Sequence, residues 1–170
     1  MPWCCGPAVD GVDWNQVRGA FMVNGKLYTA LADGTLRSWT WDGTRFGGAT
    51  NLSSWVNLSG VSSMAYQNGK LFYTVNGDAQ LYWRWFSIES NLIGSEQFVA
   101  DNGSAGADWA SATGTTIAGG RAYVSHTNGN LTRTDLDAAG RPVAGTTSVI
   151  SGKKLDGRDW NVTDLFIFSA

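Results

Sequence analysis

The stretch AFMVNGKLYTALADGTLRSWTWDG, residues 20–43, decides the fold of this chain of 170 residues. Asn24-Gly25 lies between two apolar runs and supplies two residues that tolerate positive φ, which is typical of a two-residue β-hairpin. Asp33-Gly34 and Asp42-Gly43 mark the next two chain reversals. The stretch therefore predicts an antiparallel meander with strands at 20–23, 27–31, 36–41 and 49–52.

The same pattern recurs along the chain. Its landmarks, from Asp13-Trp14 to Asp42, return without a gap 95 residues later, from Asp108-Trp109 to Asp137. A divergent middle copy begins near Trp55 and repeats the run NGKLY as NGKLF. A fourth copy begins at 156 and is predicted to hold a single strand, Leu165–Phe168.

We therefore expect one repeat domain that spans residues 1–170. It is divided into an N-terminal segment, three full repeats and a partial fourth repeat, at 1–11, 12–53, 54–106, 107–155 and 156–170. Long apolar stretches at the period of a helix are missing, so the prediction is an all-β protein with almost no helix.

Meanders of this kind are typical of β-propeller blades, and a β-trefoil or β-prism is the alternative. Three repeats and one further strand leave strand edges that need a cover. Self-association, sequence from a larger parent protein, or pairing of the N-terminal segment with Leu165–Phe168 would each provide one.

Composition excludes two classes of partner. Twelve basic and fourteen acidic residues give a formal net charge of −2, which provides no positive field for a phosphate backbone. No apolar run is long enough to cross a bilayer. We therefore expect neither nucleic-acid binding nor membrane insertion.

The only cysteines, Cys4 and Cys5, are adjacent, which excludes a zinc site of four protein thiolates. Three interpretations stay open for them: unpaired thiols, thiols that pair outside the chain, and a strained vicinal disulfide.

The sequence offers little for catalysis. Several aspartates stand where a turn or strand end needs a capping side chain, namely Asp33, Asp42, Asp78 and Asp137. His126 is the only histidine, and we expect it to face solvent beside a strand rather than to act as a general base. The prediction is a protein that is not an enzyme and has no catalytic residue, cofactor or metal site.

Tryptophans are the strongest candidates for binding, because nine of them in 170 residues is several times the usual share. Three Asp-Trp pairs recur before the first strands, where each tryptophan either packs between blades or serves as a platform for a sugar. Two further pairs alternate along third strands, and the repeats align Trp39 with Arg84, so the pairs face opposite ways. The candidate ligand-binding residues are Asp13, Trp14, Arg18, Trp39, Trp41, Trp83, Arg84, Trp85, Asp108, Trp109, Asp159 and Trp160.

The pattern W…RG.F.V.GKLY…DGTLR…WDG..FG, within residues 12–168, resembles the propeller or kelch-like repeat modules of large secreted actinobacterial cell-surface proteins. The aromatic run at 81–86 is more weakly similar to four-bladed hemopexin repeats. The first resemblance implies an accessory module that is secreted or displayed on the cell surface. It supplies no catalytic motif.

We therefore expect a non-catalytic binding module, lectin-like, that holds glycans by tryptophan stacking and by hydrogen bonds from Asp, Asn and Arg. The alternative is a structural or self-assembly module, which forms homo-oligomers or docks onto other domains of a parent protein to complete a propeller.

Overall fold

The structure is a computed structural model that describes residues 11–52 and 55–167. Cys4 and Cys5 lie outside the described residues, and so does Phe168. The described part contains no helix, and therefore none that could span a membrane. Its strands are β1 (Val17–Val23), β2 (Lys26–Leu31), β3 (Leu36–Trp41), β4 (Phe46–Leu52), β5 (Val61–Gln67), β6 (Lys70–Val75), β7 (Leu81–Ser87), β8 (Leu92–Ile93), β9 (Phe98–Asp101), β10 (Ala112–Ala118), β11 (Arg121–His126), β12 (Leu131–Asp135) and β13 (Ser148–Ser151).

These strands form three antiparallel sheets. The first contains β1 to β4 and the third contains β10 to β13, both in chain order. The second contains β5 to β8, and β9 also pairs with β7. β8 pairs with Phe86 and Ser87, whereas β9 pairs with β7 from Leu81 to Trp83. The fourth strand position of this sheet is therefore shared by two short strands, which is its main departure from the repeat.

The predicted meander is confirmed. The strand predicted at 36–41 has those bounds, and the other three begin one to three residues earlier, at Val17, Lys26 and Phe46. Asn24 has a φ of 49° and Gly25 a φ of 68°, which are the two positive values that the hairpin requires.

The first strands of the three sheets, β1, β5 and β10, pack against one another. Gly19 permits a close approach, because a Cβ there would lie 2.7 Å from Cγ of Met64. Between β5 and β10, Ser63 Oγ lies 2.7 Å from Thr115 Oγ1 in a buried hydrogen bond. The sheets therefore stand around a common axis as propeller blades, which confirms the predicted fold class over a β-trefoil or β-prism.

Apolar clusters fill the spaces between the blades. The first cluster joins the first and second sheets and includes Phe21 and Met64. The second cluster joins the second and third sheets around Phe72 and Trp109. Trp109 is fully buried, and its Nε1 donates a hydrogen bond of 2.7 Å to Asp101 Oδ2. Burial of these large side chains supplies most of the driving force for packing blade on blade.

Residues 160–167 take the fourth position around the axis. A Cβ on Gly114 of β10 would lie 2.5 Å from the backbone nitrogen of Leu165, the same close approach that Gly19 makes to β5. On the other side, Phe166 stacks on Trp14 with ring centroids 6.2 Å apart. Phe166 also packs against a third apolar cluster, which lies on the face of the first sheet opposite the first cluster. A cavity of about 320 Å³ is lined by β1, β5, β10 and residues 166–167.

The prediction of a strand at Leu165–Phe168 is wrong for its described part. Residues 165–167 belong to no β-ladder, because no strand of the described chain forms one with them. The segment nevertheless lies where the first strand of a fourth blade would stand.

Replacing Gly114 with alanine tests this packing. The new methyl group would collide with backbone atoms of Asp164 and Leu165 at 2.5–2.7 Å, so the free energy of unfolding should fall by about 1–3 kcal/mol. Gly47→Ala is the matched control, because a Cβ at Gly47 meets nothing within 4 Å. Urea unfolding of both variants measures the difference, and equal midpoints would contradict the packing of 160–167 on β10.

Candidate functional site

Trp39 and Trp83 face opposite ways, as the alignment of the repeats predicts. Trp39 belongs to the third cluster, on the face of the first sheet where Phe166 packs, whereas Trp83 packs against the second cluster. Only 6% of Trp39 is exposed, and its Nε1 donates to Thr29 Oγ1 at 3.1 Å. Trp39 is therefore a core residue, which corrects its prediction as a ligand-binding residue.

Trp83 and Trp85 form, together with Lys70 and Phe98, a surface cluster that we name the aromatic platform. Trp83 stacks on Phe98 with ring centroids 4.3 Å apart. Trp85 stands almost perpendicular to Trp83, at 89°, with centroids 5.1 Å apart. Trp85 is 53% exposed, whereas the other three side chains are half-buried. The platform thus forms a corner between two perpendicular rings, of which the Trp85 ring is the one exposed to solvent.

Strand register places these side chains together. Lys70 of β6 lies directly opposite Trp85 of β7, and Phe98 of β9 lies directly opposite Trp83. Side chains directly opposite on one face of an antiparallel pair have Cβ atoms only about 5 Å apart. The platform is therefore built on three hydrogen-bonded strands and needs no loop to hold its rings.

Lys70 brings the one positive charge of the platform. Its Nζ lies 4.3 Å from the Trp83 ring centroid and 5.8 Å from that of Trp85, within the range of a cation–π contact. It also donates a 2.8 Å hydrogen bond to the backbone oxygen of Ala139, in the loop that follows β12. An ammonium has three N–H donors, so Lys70 can hold this contact and still reach a ligand oxygen.

A groove of about 420 Å³ lies between the second and third blades. One wall is formed by residues 99–105, of which Val99 follows Phe98 in β9, and the other wall is the loop that contains Ala139. Its polar lining residues are Asp101, Asn102, Ser104, Asp137 and Arg141. Arg141 binds the Asp137 carboxylate at 2.9 Å, and backbone N–H donors, first that of Arg141, lower the pKa of Asp137. The groove thus adds carboxylate, amide and hydroxyl groups to an aromatic surface.

The three Asp-Trp pairs are not brought together in one site. Each aspartate accepts a backbone N–H two or three residues later, as a turn cap does: Asp13 from Asn15, Asp108 from Ser111, and Asp159 from Asn161. Trp14 and Trp160 are half-buried, and Trp160 donates through Nε1 to Ser151 Oγ. Because Trp109 is fully buried, no ligand can stack on it, which corrects its prediction as a ligand-binding residue.

The remaining candidates have structural contacts. Trp41 lies against Phe46 with centroids 4.6 Å apart, and Arg18 donates to the backbone oxygens of Asn15 and Val17. The Arg84 guanidinium donates to four oxygens, those of the Tyr73 hydroxyl, the Gly94 and Ser95 backbone and the Gln97 amide. These donors tie β7 to β6 and to the segment before β9.

Sequence reasoning missed Lys70 and Phe98. The Asn68-Gly69 turn could have indicated Lys70, because hairpin geometry and a short connection set which residue of β7 it faces. The repeat did not indicate Phe98, because β9 occupies the fourth-strand position of β4 and β13 but the equivalent residue of β13 is Ser148.

Among the described residues, no group of three or more His, Cys, Asp or Glu side chains could hold a metal ion. The aspartates predicted to cap turns do so: Asp33, Asp42, Asp78 and Asp137 each accept the backbone N–H of the residue two positions on.

The prediction that His126 faces solvent is wrong, because only 3% of the residue is exposed. Ser111 Oγ donates to Asp108 Oδ2 at 2.6 Å and therefore accepts from Nδ1–H of His126 at 2.9 Å. This leaves Nε2 to accept from the Thr132 hydroxyl at 2.7 Å. Burial lowers the pKa of His126, and the nearby Asp108 opposes that shift only in part.

The stability of the fold should depend on this imidazole. Unfolded His126 takes up a proton near pH 6.5, whereas the folded residue does so only at lower pH. The free energy of unfolding should therefore fall as pH drops from about 7 to about 5, by at most about 1.4 kcal/mol per pH unit. Chemical denaturation at several pH values measures this slope.

His126→Gln is the control for that measurement, because it removes the titration. Burial raises the pKa of Asp164, whose effect on stability has the opposite sign, but Asp164 is present in both proteins. Parallel pH profiles for the variant and the natural sequence would contradict the role of His126.

No family model matches the sequence, and no curated protein matches it. Solved structures do match. A chain of the nidogen/laminin complex has a TM-score of 0.50 at 12% identity, over 82% of this chain and 49% of its own. Glutaminyl cyclase from Myxococcus xanthus has a TM-score of 0.52 at 18% identity, over 81% of this chain and 53% of its own. The WD40 β-propeller domain of Doa1 has a TM-score of 0.43 at 13% identity, over 75% of this chain and 38% of its own.

The chain thus spans about half the length of the first two structures. At these identities the likeness to the first two structures concerns the fold alone. One of these structures is an enzyme, so the fold does not decide between catalysis and binding. That decision has to come from the chemistry of the site.

Proposed function

We propose that this protein is a non-catalytic binding module that holds glycans on the aromatic platform. The observation that carries the proposal is the exposed ring of Trp85, which is held perpendicular to the stacked pair of Trp83 and Phe98. A contiguous apolar patch on the surface of a protein commonly marks a site of interaction.

The shape of the corner suits a sugar ring. The apolar C–H face of a pyranose can pack on Trp85 while its edge meets Trp83, so that both rings lose contact with water. The Lys70 ammonium, 4.3 Å from the Trp83 centroid, can donate to a sugar hydroxyl or carboxylate. Because β-strand register holds the rings in place, little conformational entropy is lost when the ligand binds.

The adjoining groove supports a ligand longer than one sugar. Asn102, Ser104 and Asp137 line it together with Val99, which follows platform residue Phe98 in the chain. Amide, hydroxyl and carboxylate groups complement the hydroxyls of a polysaccharide, whereas a purely apolar groove would favour an aliphatic partner. A module of this kind would act outside the cell, and the resemblance of its repeats to secreted cell-surface modules supports that part of the proposal.

Trp85→Ala tests the platform directly. Loss of the open ring should weaken binding of a responsive glycan at least tenfold, or about 1.4 kcal/mol, without changing the unfolding midpoint. A glycan array identifies the ligand, and titration calorimetry measures its affinity for both proteins.

Trp55→Ala is the matched control, because Trp55 is 87% exposed and does not belong to the platform. Its affinity should equal that of the natural sequence. The proposal fails if no glycan binds at millimolar concentration, or if both tryptophan variants bind alike.

A further inference from the structure

A further cavity lies on the axis, at the end where the first strands begin. It has a volume of about 330 Å³ and is bordered by the first two residues of β1, β5 and β10 and by residues 162–163 in the fourth position. We name this cavity the axial pocket. The cavity of about 320 Å³ described above lies towards the opposite end of the same strands. The axial pocket is thus bordered by all four positions around the axis.

Each first strand has a β-bulge at this end. Pairing with the second strand skips one residue in each blade, which is Arg18 in β1, Ser62 in β5 and Thr113 in β10. A bulge takes one residue out of the ladder and changes the direction of its side chain. All three skipped residues line the axial pocket. The same irregularity in three blades therefore places three side chains at one cavity.

Arg18 departs from the repeat at the bulge. The equivalent residues of the second and third blades, Ser62 and Thr113, have short hydroxyl side chains. Each bonds to its own second strand, Ser62 to Thr74 at 2.8 Å and Thr113 to Ser125 at 3.1 Å. These contacts explain a hydroxyl group at the bulge, but they give no reason for a guanidinium there.

The Arg18 guanidinium is anchored by one nitrogen and keeps donors on the other two. Nη1 donates to the backbone oxygens of Asn15 at 3.1 Å and of Val17 at 3.2 Å. Within residues 11–52 and 55–167, Nε and Nη2 donate to no atom, and no carboxylate forms an ion pair with Arg18. The N–H groups of Nε and Nη2 form the planar fork that a carboxylate accepts with both oxygens.

The rest of the described lining is polar and uncharged, so that Arg18 contributes its one formal charge. The hydroxyl and amide groups of the lining belong to Ser59, Ser62, Asn76, Thr113, Thr127 and Thr163. A cleft lined by one sign of charge concentrates ions of the opposite sign. One guanidinium balances a monocarboxylate, whereas a phosphate group carries nearly two negative charges at neutral pH. The hydroxyl and amide groups complement hydroxyls on the same ligand.

Asp164 follows the lining residue Thr163 but lines a different cavity. Its carboxyl accepts the backbone N–H groups of Leu165 and Ala20, and burial raises its pKa well above the usual range. A raised pKa reduces the negative charge that this carboxyl carries. Asp164 therefore does not take the place of a ligand as the counter-ion of Arg18.

We propose that the axial pocket binds a small sugar acid, which is a monocarboxylate that also carries hydroxyl groups. The carboxylate accepts from Nε and Nη2 of Arg18, and the ligand hydroxyls bond to side chains such as Asn76 and Thr127. A volume of about 330 Å³ is at the small end of ligand sites, which fits one sugar residue better than a chain. The axial pocket shares no residue with the aromatic platform and does not depend on glycan binding there.

The test titrates three sugar acids, D-glucuronate, D-galacturonate and D-gluconate, into the full chain. Nuclear magnetic resonance of the backbone amides follows the titration, and at least one of the acids should saturate with a Kd of about 1 mM or below. The amides of Arg18, Ser62 and Thr113 should shift most. D-Glucose, which lacks the carboxylate, should bind about tenfold more weakly or not at all. Absence of saturable binding of all three acids, or equal binding of glucose, overturns the proposal.

Arg18→Gln should weaken binding of the sugar acid about tenfold, because the fork and its charge are lost. Arg37→Gln is the matched control. It removes the same charge from the same sheet, and Arg37 binds Asn51 through Nε and does not line the pocket. Arg18→Lys keeps a charge and a donor for the backbone oxygens but has no fork, so its affinity should lie between those of Arg18→Gln and the natural sequence. Equal affinities of Arg18→Gln and Arg37→Gln overturn the proposal.

Two further measurements separate this proposal from its alternatives. Sulfate carries charge but no hydroxyl group, so it should bind about fivefold more weakly than the best sugar acid, and equal binding would reduce the pocket to an unspecific anion site. Trp85→Ala should bind the sugar acid with unchanged affinity, so failure of the glycan proposal leaves this one standing. Loss of binding in Trp85→Ala would assign the sugar acid to the aromatic platform and overturn the axial site.

Discussion

Close packing of first strands around one axis is the constraint on which the other features depend. Gly19 and Gly114 have no side chain where the next strand passes, and a Cβ at either position would overlap its neighbour. The buried hydrogen bond between Ser63 and Thr115 holds the second and third blades at the same close distance. Since each sheet is anchored at its first strand, the faces of neighbouring blades meet and the apolar clusters form between them.

The surface follows from the same geometry. Residues that alternate along a third strand face either the preceding or the following blade, so a shift of one position moves a tryptophan from the one face to the other. Trp39 is buried against the third cluster, whereas Trp85 reaches solvent at the border of the second and third blades. The second blade departs most from the repeat, because β8 and β9 share its fourth strand position, and β9 supplies Phe98 to the platform. Function is therefore best sought where the repeat is broken.

Much of the fold is readable from turn chemistry and repetition. Asn24-Gly25 needs positive φ at both residues, and both are found in that conformation. Two predictions from the sequence that were wrong, for His126 and for residues 165–167, have a common cause. His126 is buried by Asp108 and Ser111 of the preceding loop together with Thr132 of the next strand, contacts that local sequence does not reveal. Residues 165–167 have the composition of a strand but form no ladder, because pairing needs a neighbour and not only propensity.

The sequence by itself determined the meander, the hairpin turns, the number of repeats and the opposite facing of the tryptophan pairs, because these depend on local φ preference and on a period of two. Only the tertiary structure decided which rings are exposed and that Lys70 and Phe98 join Trp83 and Trp85. These features depend on distances between residues far apart in the chain. Blade packing around the axis sets those distances, and no local pattern encodes them.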